Sequence, residues 1–407
     1  MNQGPVHESG DASHADLVRL ADQCVLCGLC LPYCPTYALD RQESESPRGR
    51  VSLIHALAEG RMDVADVDFT HLDHCLSCRR CEAVCPAGVE YGRILDGGRR
   101  LRRDAGRQRP GLTARVGGWL LAHPRLLRQL LFLSRHLWRW LPGRLRNSLP
   151  APPARAALTE LLLQPSPSTG RGRIGLFRGC ISRCYAASAQ QAAIDLLQTL
   201  GHSVTRPAAQ TCCGAQAAHA GNALRAARLA AKNHRAFQSV DVVVTLDSGC
   251  HEALSRSLDA ETIDMLALLD RDPNFDELNL HDHPARVAVF APCTQRNVIR
   301  SDDALRRVLG RLPGVDAVWL ETGCCGAAGD HMLRFPERAA TLREPLLQQL
   351  TDSGCDQLLV ANIGCQLHLQ AGIAQRGLDI RVRHPVEFIA ERLLPSFPSP
   401  EPPRMAP

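Results

Sequence analysis

A chain of 407 residues with a 45% apolar fraction is long enough for two or three domains with true cores, and too long for a small disulfide-stapled scaffold. Its net charge of +5 is modest, aromatics are scarce at 4%, and no run of 18 uncharged apolar residues occurs, so no membrane-spanning helix is expected. The outlier is cysteine, 18 in all; with no charged start or apolar run in residues 1–23 to suggest a signal peptide, that count points to metal or redox chemistry in the cytoplasm.

Residues 1–16 are polar and read as a disordered N-terminus. Residues 17–100 hold eight cysteines in two copies of one pattern, Cys24-x-x-Cys27-x-x-Cys30-x-x-x-Cys34-Pro35 and Cys75-x-x-Cys78-x-x-Cys81-x-x-x-Cys85-Pro86. Three cysteines at this spacing wrap one face of a cubane cluster, and the fourth, displaced by its proline, ligates the other cluster of a two-cluster ferredoxin. The pattern therefore predicts one [4Fe–4S] cluster on Cys24, Cys27, Cys30 and Cys85, and a second on Cys75, Cys78, Cys81 and Cys34. Structural zinc is the competing reading, but zinc sites favour separated cysteine pairs, not triplets closed by Cys-Pro. The long insert between the motifs includes the helical run Val51 to Ala58, so a helical ferredoxin domain is expected.

Residues 101–172 carry no cysteine and read as a basic helical connector ending in a Pro-rich linker. The arginines from Arg99 to Arg109 read as a solvated face, without the aromatic pattern of a nucleic-acid arm. Trp119 to Leu141 interleaves Leu and Trp with Arg125, Arg128, Arg135 and Arg139. That is the pattern of an interfacial helix or of packing between the two halves of the chain. Gly170-x-Gly172-x-x-Gly175 precedes a strand instead of following one, the wrong order for a dinucleotide site.

The next 220 or so residues repeat themselves. Cys180, Cys212-Cys213-Gly214 and Cys250 form one copy, expected over 173–280; Cys293, Cys324-Cys325-Gly326 and Cys365 form the other, over 281–394. Short β-rich runs lead into these cysteines: Ile174 to Phe177, Val242 to Leu246, Val287 to Phe290 and Leu358 to Val360. Helical stretches over 184–200, 215–237 and 327–350 lie between them. Such alternation implies parallel sheets whose ligands gather beyond the carboxyl ends of the strands. Each copy offers four thiols, enough for one further cluster, or else its cysteines are free and buried. Cys184 and Cys355 read as bystanders, and Pro395 to Pro407 as a disordered tail. His71 and His74 read as surface histidines of a helix, with cluster tuning as the alternative role. His251, His331 and His368 follow motif cysteines closely enough to be candidates for a redox role.

Certain segments carry a resemblance. They are Pro47-Arg48-Gly49-Arg50, His71-Leu72-Asp73-x-Cys75-Leu76-x-Cys78-Arg79-x-Cys81-Glu82 and Pro86-x-Gly88-Val89-x-Tyr91. Further on come Pro292-Cys293-Thr294, Cys324-Cys325-Gly326-x-Ala328-Gly329 and Ala361-Asn362-Ile363-Gly364-Cys365-Gln366-x-His368-Leu369. Over about residues 17–390 the chain resembles the iron–sulfur subunit of bacterial glycolate oxidase, and more broadly the proteins with the cysteine-rich (CCG) domain of heterodisulfide reductase. The resemblance implies an α+β multidomain fold: a helical ferredoxin domain, then two α/β CCG modules. It implies a subunit that passes electrons from FAD-containing dehydrogenase subunits toward quinone or another membrane acceptor; the residues themselves offer no flavin or NAD site and no nucleic-acid partner is expected, and the Arg- and Trp-rich segment 119–141 is the candidate for peripheral contact with the inner face of the cytoplasmic membrane. Related subunits serving lactate or glycerol 3-phosphate, and a thiol–disulfide enzyme, are the alternatives. The fuller CCG pattern ends in Cys-x-x-Cys; here Asp247 and Asn362 stand in place of its first cysteine, which counts against a five-thiolate cluster.

Overall fold

The computed structural model describes residues 14–107, 120, 124–137, 171–321 and 323–394. The first thirteen residues, most of the connector and its linker, and the tail from 395 onward lie outside the described residues.

The three longer helices of the N-terminal domain are His14–Asp22, Pro47–Ala58 and Tyr91–Asp104. The first reaches back into the stretch expected to be disordered. Its Leu17, Leu20 and Ala21 are buried, so packing orders a polar-looking start. Helix Pro47–Ala58 begins where Ser46 accepts a hydrogen bond from the Gly49 amide at 2.9 Å and Pro47 fills the first turn. It buries Val51, Ile54, Leu57 and Ala58. These meet Leu17, Leu20, Phe69, Leu72, Ile94 and Leu95 in one core. Helix Tyr91–Asp104 approaches closely because of Gly98, where a Cβ would lie 2.5 Å from Ile54 Cγ1.

The rest is two parallel sheets of identical connectivity. Strands β1 (Arg171–Phe177), β2 (His202–Thr205), β3 (Val242–Thr245) and β4 (Glu261–Asp264) lie in the order β2-β1-β3-β4. Strands β5 (Ala285–Phe290), β6 (Val315–Trp319), β7 (Gln357–Val360) and β8 (Arg381–Arg383) lie in the order β6-β5-β7-β8. Their central strands are continuous apolar runs, such as Leu358-Leu359-Val360, because helices cover both faces. Gly172 and Gly175 of the discounted glycine motif lie inside β1.

The two modules share a core. Leu176, Leu196 and Leu197 of the first sit in one cluster with Val287, Leu305 and Phe388 of the second. Their terminal helices are exchanged. Pro385–Ala390, at the end of the second module, packs on Ala187–Thr199 of the first. Met265–Arg271, at the end of the first, packs on Asp302–Gly310 of the second. Two long helices expected from periodicity are each broken in two. Ala215–His219 and Ala223–Ala236 part at Gly221 (φ +68°), and Asn222 caps the second piece. His331–Arg334 and Pro336–Asp352 part where Pro336 starts a new first turn.

Of the basic connector, helix Pro124–Leu137 is described, and it exposes Leu130, Phe132 and Leu133. Among the described residues, no helix is long and apolar enough to cross a membrane.

Candidate iron–sulfur centres

In the second ferredoxin motif, Ser77 (φ 50°) and Arg79 (φ 53°) take left-handed backbone conformations. They coil the chain so that Cys75, Cys78 and Cys81 turn to one side. Cys34, from the end of the first motif, joins them. All four thiols line one small cavity of about 20 Å³, together with Pro35, Thr36, Arg50 and Tyr91. Burial pushes the Cys78 thiol up, with the charge of Cys293 adding to it. Burial also raises Cys81, helped by Cys78, Cys75 and Cys34. Four converging thiols, of which the buried Cys78 and Cys81 resist ionisation by themselves, are a fitting donor set for a metal group, whose positive charge stabilises the thiolates.

The sulfurs have hydrogen-bonding neighbours, as tuned metal sites do. Thr36 Oγ1 lies 3.3 Å from Cys34 Sγ, and Tyr91 OH lies 3.4 Å from Cys75 Sγ. Arg50 Nη1 donates to Thr36 Oγ1 at 3.0 Å and reaches Cys34 Sγ at 4.0 Å. Arg50 is itself buried, 1% exposed, and pairs with Glu45, 2% exposed, at 2.6 Å. His71 and His74 are therefore not free surface histidines. Both donate through Nδ1 to the same Glu45 Oε1, at 2.8 and 2.6 Å. Arg338 of the second CCG module approaches Glu45 Oε2 at 3.6 Å. Glu45, His71 and His74 converge as metal ligands might be expected to, but two guanidinium groups and two ring N–H donors already occupy the carboxylate, which makes it an anionic clasp. Sequence reading missed Glu45, Thr36 and Tyr91. An acid between the motifs carries no spacing signal, although Arg50 and Tyr91 fall in the segments that carry the resemblance.

The first motif has the same backbone, with Leu26 (φ 56°) and Gly28 (φ 82°) in the corresponding places. Arg48 Nη1 pins this loop by donating to the Leu26 carbonyl at 3.1 Å. Burial raises the Cys30 thiol, and the charges of Cys24, Cys27 and Cys34 add to it. Cys85 is half-buried against the same core as Cys24 and Cys30. Cys27 is the one exposed cysteine among the described residues.

In the second CCG module the motif cysteines follow β5, β6 and β7, at the carboxyl ends expected. Cys325 Sγ lies 2.8 Å from Cys365 Sγ, and the Gly326 amide donates to Cys324 Sγ at 3.4 Å. The thiol of Cys324 and burial both raise Cys293. The loop needs Gly326 (φ +78°), since a Cβ there would lie 2.4 Å from the Ala339 carbonyl oxygen. His331 Nδ1 donates to the Gly326 carbonyl at 3.2 Å, and His368 Nε2 to that of Ala339 at 3.2 Å. Burial holds both rings neutral, down to about 4, so these histidines brace the thiol loop. His251 is likewise lowered by burial and meets Thr245 Oγ1 at 3.0 Å.

The first module gathers Cys180, Cys212, Cys213 and Cys250 in the same way. Hydrogen bonds from Cys180 and Cys213 pull the Cys212 thiol down. Of the two cysteines outside the motifs, Cys184 is buried, and Cys355 packs in one core cluster with Cys325 and Cys365 and donates through Sγ to the Ser353 carbonyl at 3.8 Å. Asp247 and Asn362 close the junction between modules. Asp247 Oδ1 accepts from the Ile363 amide at 2.7 Å, and Asn362 Nδ2 donates to Ser248 Oγ at 3.3 Å.

The ferredoxin domain meets the modules differently. Cys78 and Leu76 pack with Cys324, Cys293 and Leu342 of the second module, and Asn297 Nδ2 donates to the Cys78 carbonyl at 2.8 Å. Contact with the first module is polar: Arg79 to Glu252 at 2.6 Å, and His219 to Asp96 at 3.1 Å.

A family model described as a 4Fe–4S dicluster domain matches residues 20–89, and one described as a cysteine-rich domain matches 174–255 and 287–370. The chain is 29% identical to a probable glycolate oxidase iron–sulfur subunit of Bacillus subtilis, over 88% of this chain and 90% of that one. It is 26% identical to lactate utilization protein A of Geobacillus kaustophilus, over 54% of this chain and 99% of that one. It is 30% identical to the glycolate oxidase iron–sulfur subunit of Escherichia coli, over 95% of this chain and 97% of that one. With that identity sustained along nearly the full length of both chains, and with ferredoxin and CCG domains in the same molecule, the chain belongs to the family of glycolate oxidase iron–sulfur subunits.

Proposed function

We infer that the chain relays single electrons within a flavin-dependent glycolate dehydrogenase, from FAD-bearing subunits toward quinone or another membrane acceptor. Cys34, Cys75, Cys78 and Cys81 hold one [4Fe–4S] cluster, and Cys24, Cys27, Cys30 and Cys85 hold the other. The observation that carries this reading is the cavity that Cys34 shares with the three cysteines of the other motif. A bound cluster takes up one electron at a time without proton chemistry of its own, whereas oxidising a 2-hydroxy acid to a 2-oxo acid releases two electrons and two protons; the substrate step therefore belongs to a flavin on a partner. The chain's own residues bind sulfur-ligated iron, keep water from it and hydrogen-bond its sulfurs through Thr36, Arg50 and Tyr91. The four thiols of the second module, of which Cys293 and Cys324 pack against Cys78, form the next station, and those of the first module hold a further cluster.

The experiment is anaerobic purification with iron, sulfide and zinc analysis, followed by glycolate-dependent quinone reduction with and without the flavin subunits. About eight irons in the ferredoxin domain, up to eight more in the modules, and turnover only in the presence of the flavin subunits are expected. Zinc with negligible iron, or glycolate oxidation by the chain alone, would refute the relay.

A further inference from the structure

The two ferredoxin motifs share a backbone but not a surface. In the second, Leu76, which follows its first cysteine, is only 5% exposed because Leu342 and Cys324 of a CCG module cover it. In the first, the same position is Val25, 71% exposed, and around it Leu26, Leu29 and Tyr33 are 51%, 57% and 50% exposed. Four large apolar side chains within nine residues, on the loop that also carries the exposed Cys27, form a local patch of the kind that marks an interaction site. The loop is held in shape: Leu26 keeps its unfavourable positive φ, and Arg48 ties down its carbonyl. The motif that has found its cover has found a thiol-bearing module; among the described residues its twin is exposed.

We propose that the Val25–Tyr33 face is the docking surface for the flavin-bearing subunit of the dehydrogenase, which delivers electrons at Cys27 just as the second module receives them at Cys78. This rests on the relay reading above. The charges around the patch favour a protein over an anionic lipid surface. Arg48, which holds the Leu26 carbonyl, is itself held by both oxygens of Glu43, at 2.7 and 3.2 Å. An apolar centre inside an ion-paired rim is the anatomy of a protein interface, whereas an anionic bilayer attracts clusters of uncompensated Lys and Arg.

The test uses the full chain with its clusters, co-expressed with the flavin subunits. Val25→Glu with Leu29→Glu should weaken the flavin subunit's binding by at least about tenfold, as loss of an interface hot spot does, with iron content and the reduced-cluster paramagnetic signals unchanged. Val25→Gln with Leu29→Gln, which adds no charge to the loop, should weaken it less. In the wild-type complex, amides of residues 24–34 should be protected from hydrogen exchange by the flavin subunit, a readout independent of any variant. Wild-type affinity in both variants, or no protection of this loop, overturns the docking face while leaving the relay intact. A wild-type chain that is fully loaded with iron and binds no flavin subunit overturns the relay reading itself. Variant-sensitive binding to phosphatidylglycerol vesicles with unchanged affinity for the flavin subunit assigns the face to lipid and overturns the proposal.

Discussion

The two CCG modules are the same object built twice. Strand order, the placement of four thiols beyond β1, β2 and β3 or β5, β6 and β7, and even the reciprocal exchange of end helices agree. Their surroundings do not. The second module sets Cys293 and Cys324 against Cys78, and its Cys324, Cys325 and Cys365 are buried. The first meets the ferredoxin domain through Arg79–Glu252 and His219–Asp96, and only its Cys213 is buried among the four motif cysteines. The lesson is that a duplicated ligand pattern duplicates chemistry but not wiring. In the relay proposed above, the module whose sulfurs touch Cys78 is the one placed to receive electrons next, and the other is free to serve a different end.

The sharpest way to break this comparison is at its hinge. Cys78→Ser should remove about four irons and halt electron flow beyond the first cluster, while substrate still reduces the flavin; Cys34→Ser should give the same loss, although Cys34 belongs to the other motif. Paramagnetic resonance with each cluster's signal assigned decides this, and loss of the sequence-adjacent cluster in Cys34→Ser would contradict the shared cavity. Next comes the contrast between modules. Cys325→Ser should stop quinone reduction, while Cys213→Ser should leave the rate close to that of the wild type; equal losses would erase the distinction drawn here.

Stability probes follow. Glu45→Ala strands the buried Arg50 and removes the partner that His71, His74 and Arg338 share, so it should cost about 3–5 kcal/mol in denaturant unfolding of the cluster-loaded protein.

The helix caps that end each module differ in an informative way. Asp264 caps Met265–Arg271, and His384 caps Pro385–Ala390. Burial pushes the Asp264 carboxyl up to about 7 and lowers His384. Between about pH 4 and 7 the folded state keeps a proton on Asp264 that the unfolded chain has released, so this residue's contribution to stability declines as pH rises through that window. His384 acts in the opposite sense: the unfolded chain takes up a proton below about pH 6.5 that the folded ring resists, so its contribution declines as pH falls. Asp264→Asn should therefore be more stable than wild type at pH 8, by about 2–4 kcal/mol, and lose that advantage by pH 4. Thermal unfolding across this range measures it. The smallest effect is expected at the polar contact: Glu252→Gln should cost about 1 kcal/mol by weakening its contacts with Arg79 and Arg256, with electron flow unchanged.

Much of the site could be read from spacing because spacing is what a cluster demands. Three thiols at intervals of three must turn to one side, and a Cys-Pro end must point away. The repeat and its parallel sheets were equally legible, since β-rich runs lead directly into cysteines. Periodicity erred where one local residue overruled it, as Gly221 and Pro336 broke helices that the apolar pattern ran through. His71 and His74 were misread as surface residues because their partner, Glu45, lies more than 25 residues earlier and carries no motif.

By itself, then, the sequence determined the two cysteine motifs, the duplicated α/β modules and the helical ferredoxin domain, all consequences of residues within a few positions of one another. Only the tertiary structure decided that the second module and not the first meets Cys78, that Glu45 gathers two histidines and two arginines, and that the Val25–Tyr33 loop is uncovered while Leu76 is buried. The contact of Cys78 with Cys293 and Cys324 joins segments more than 200 residues apart. Chain spacing places no limit on such pairs; the shape and burial of the packed domains select them.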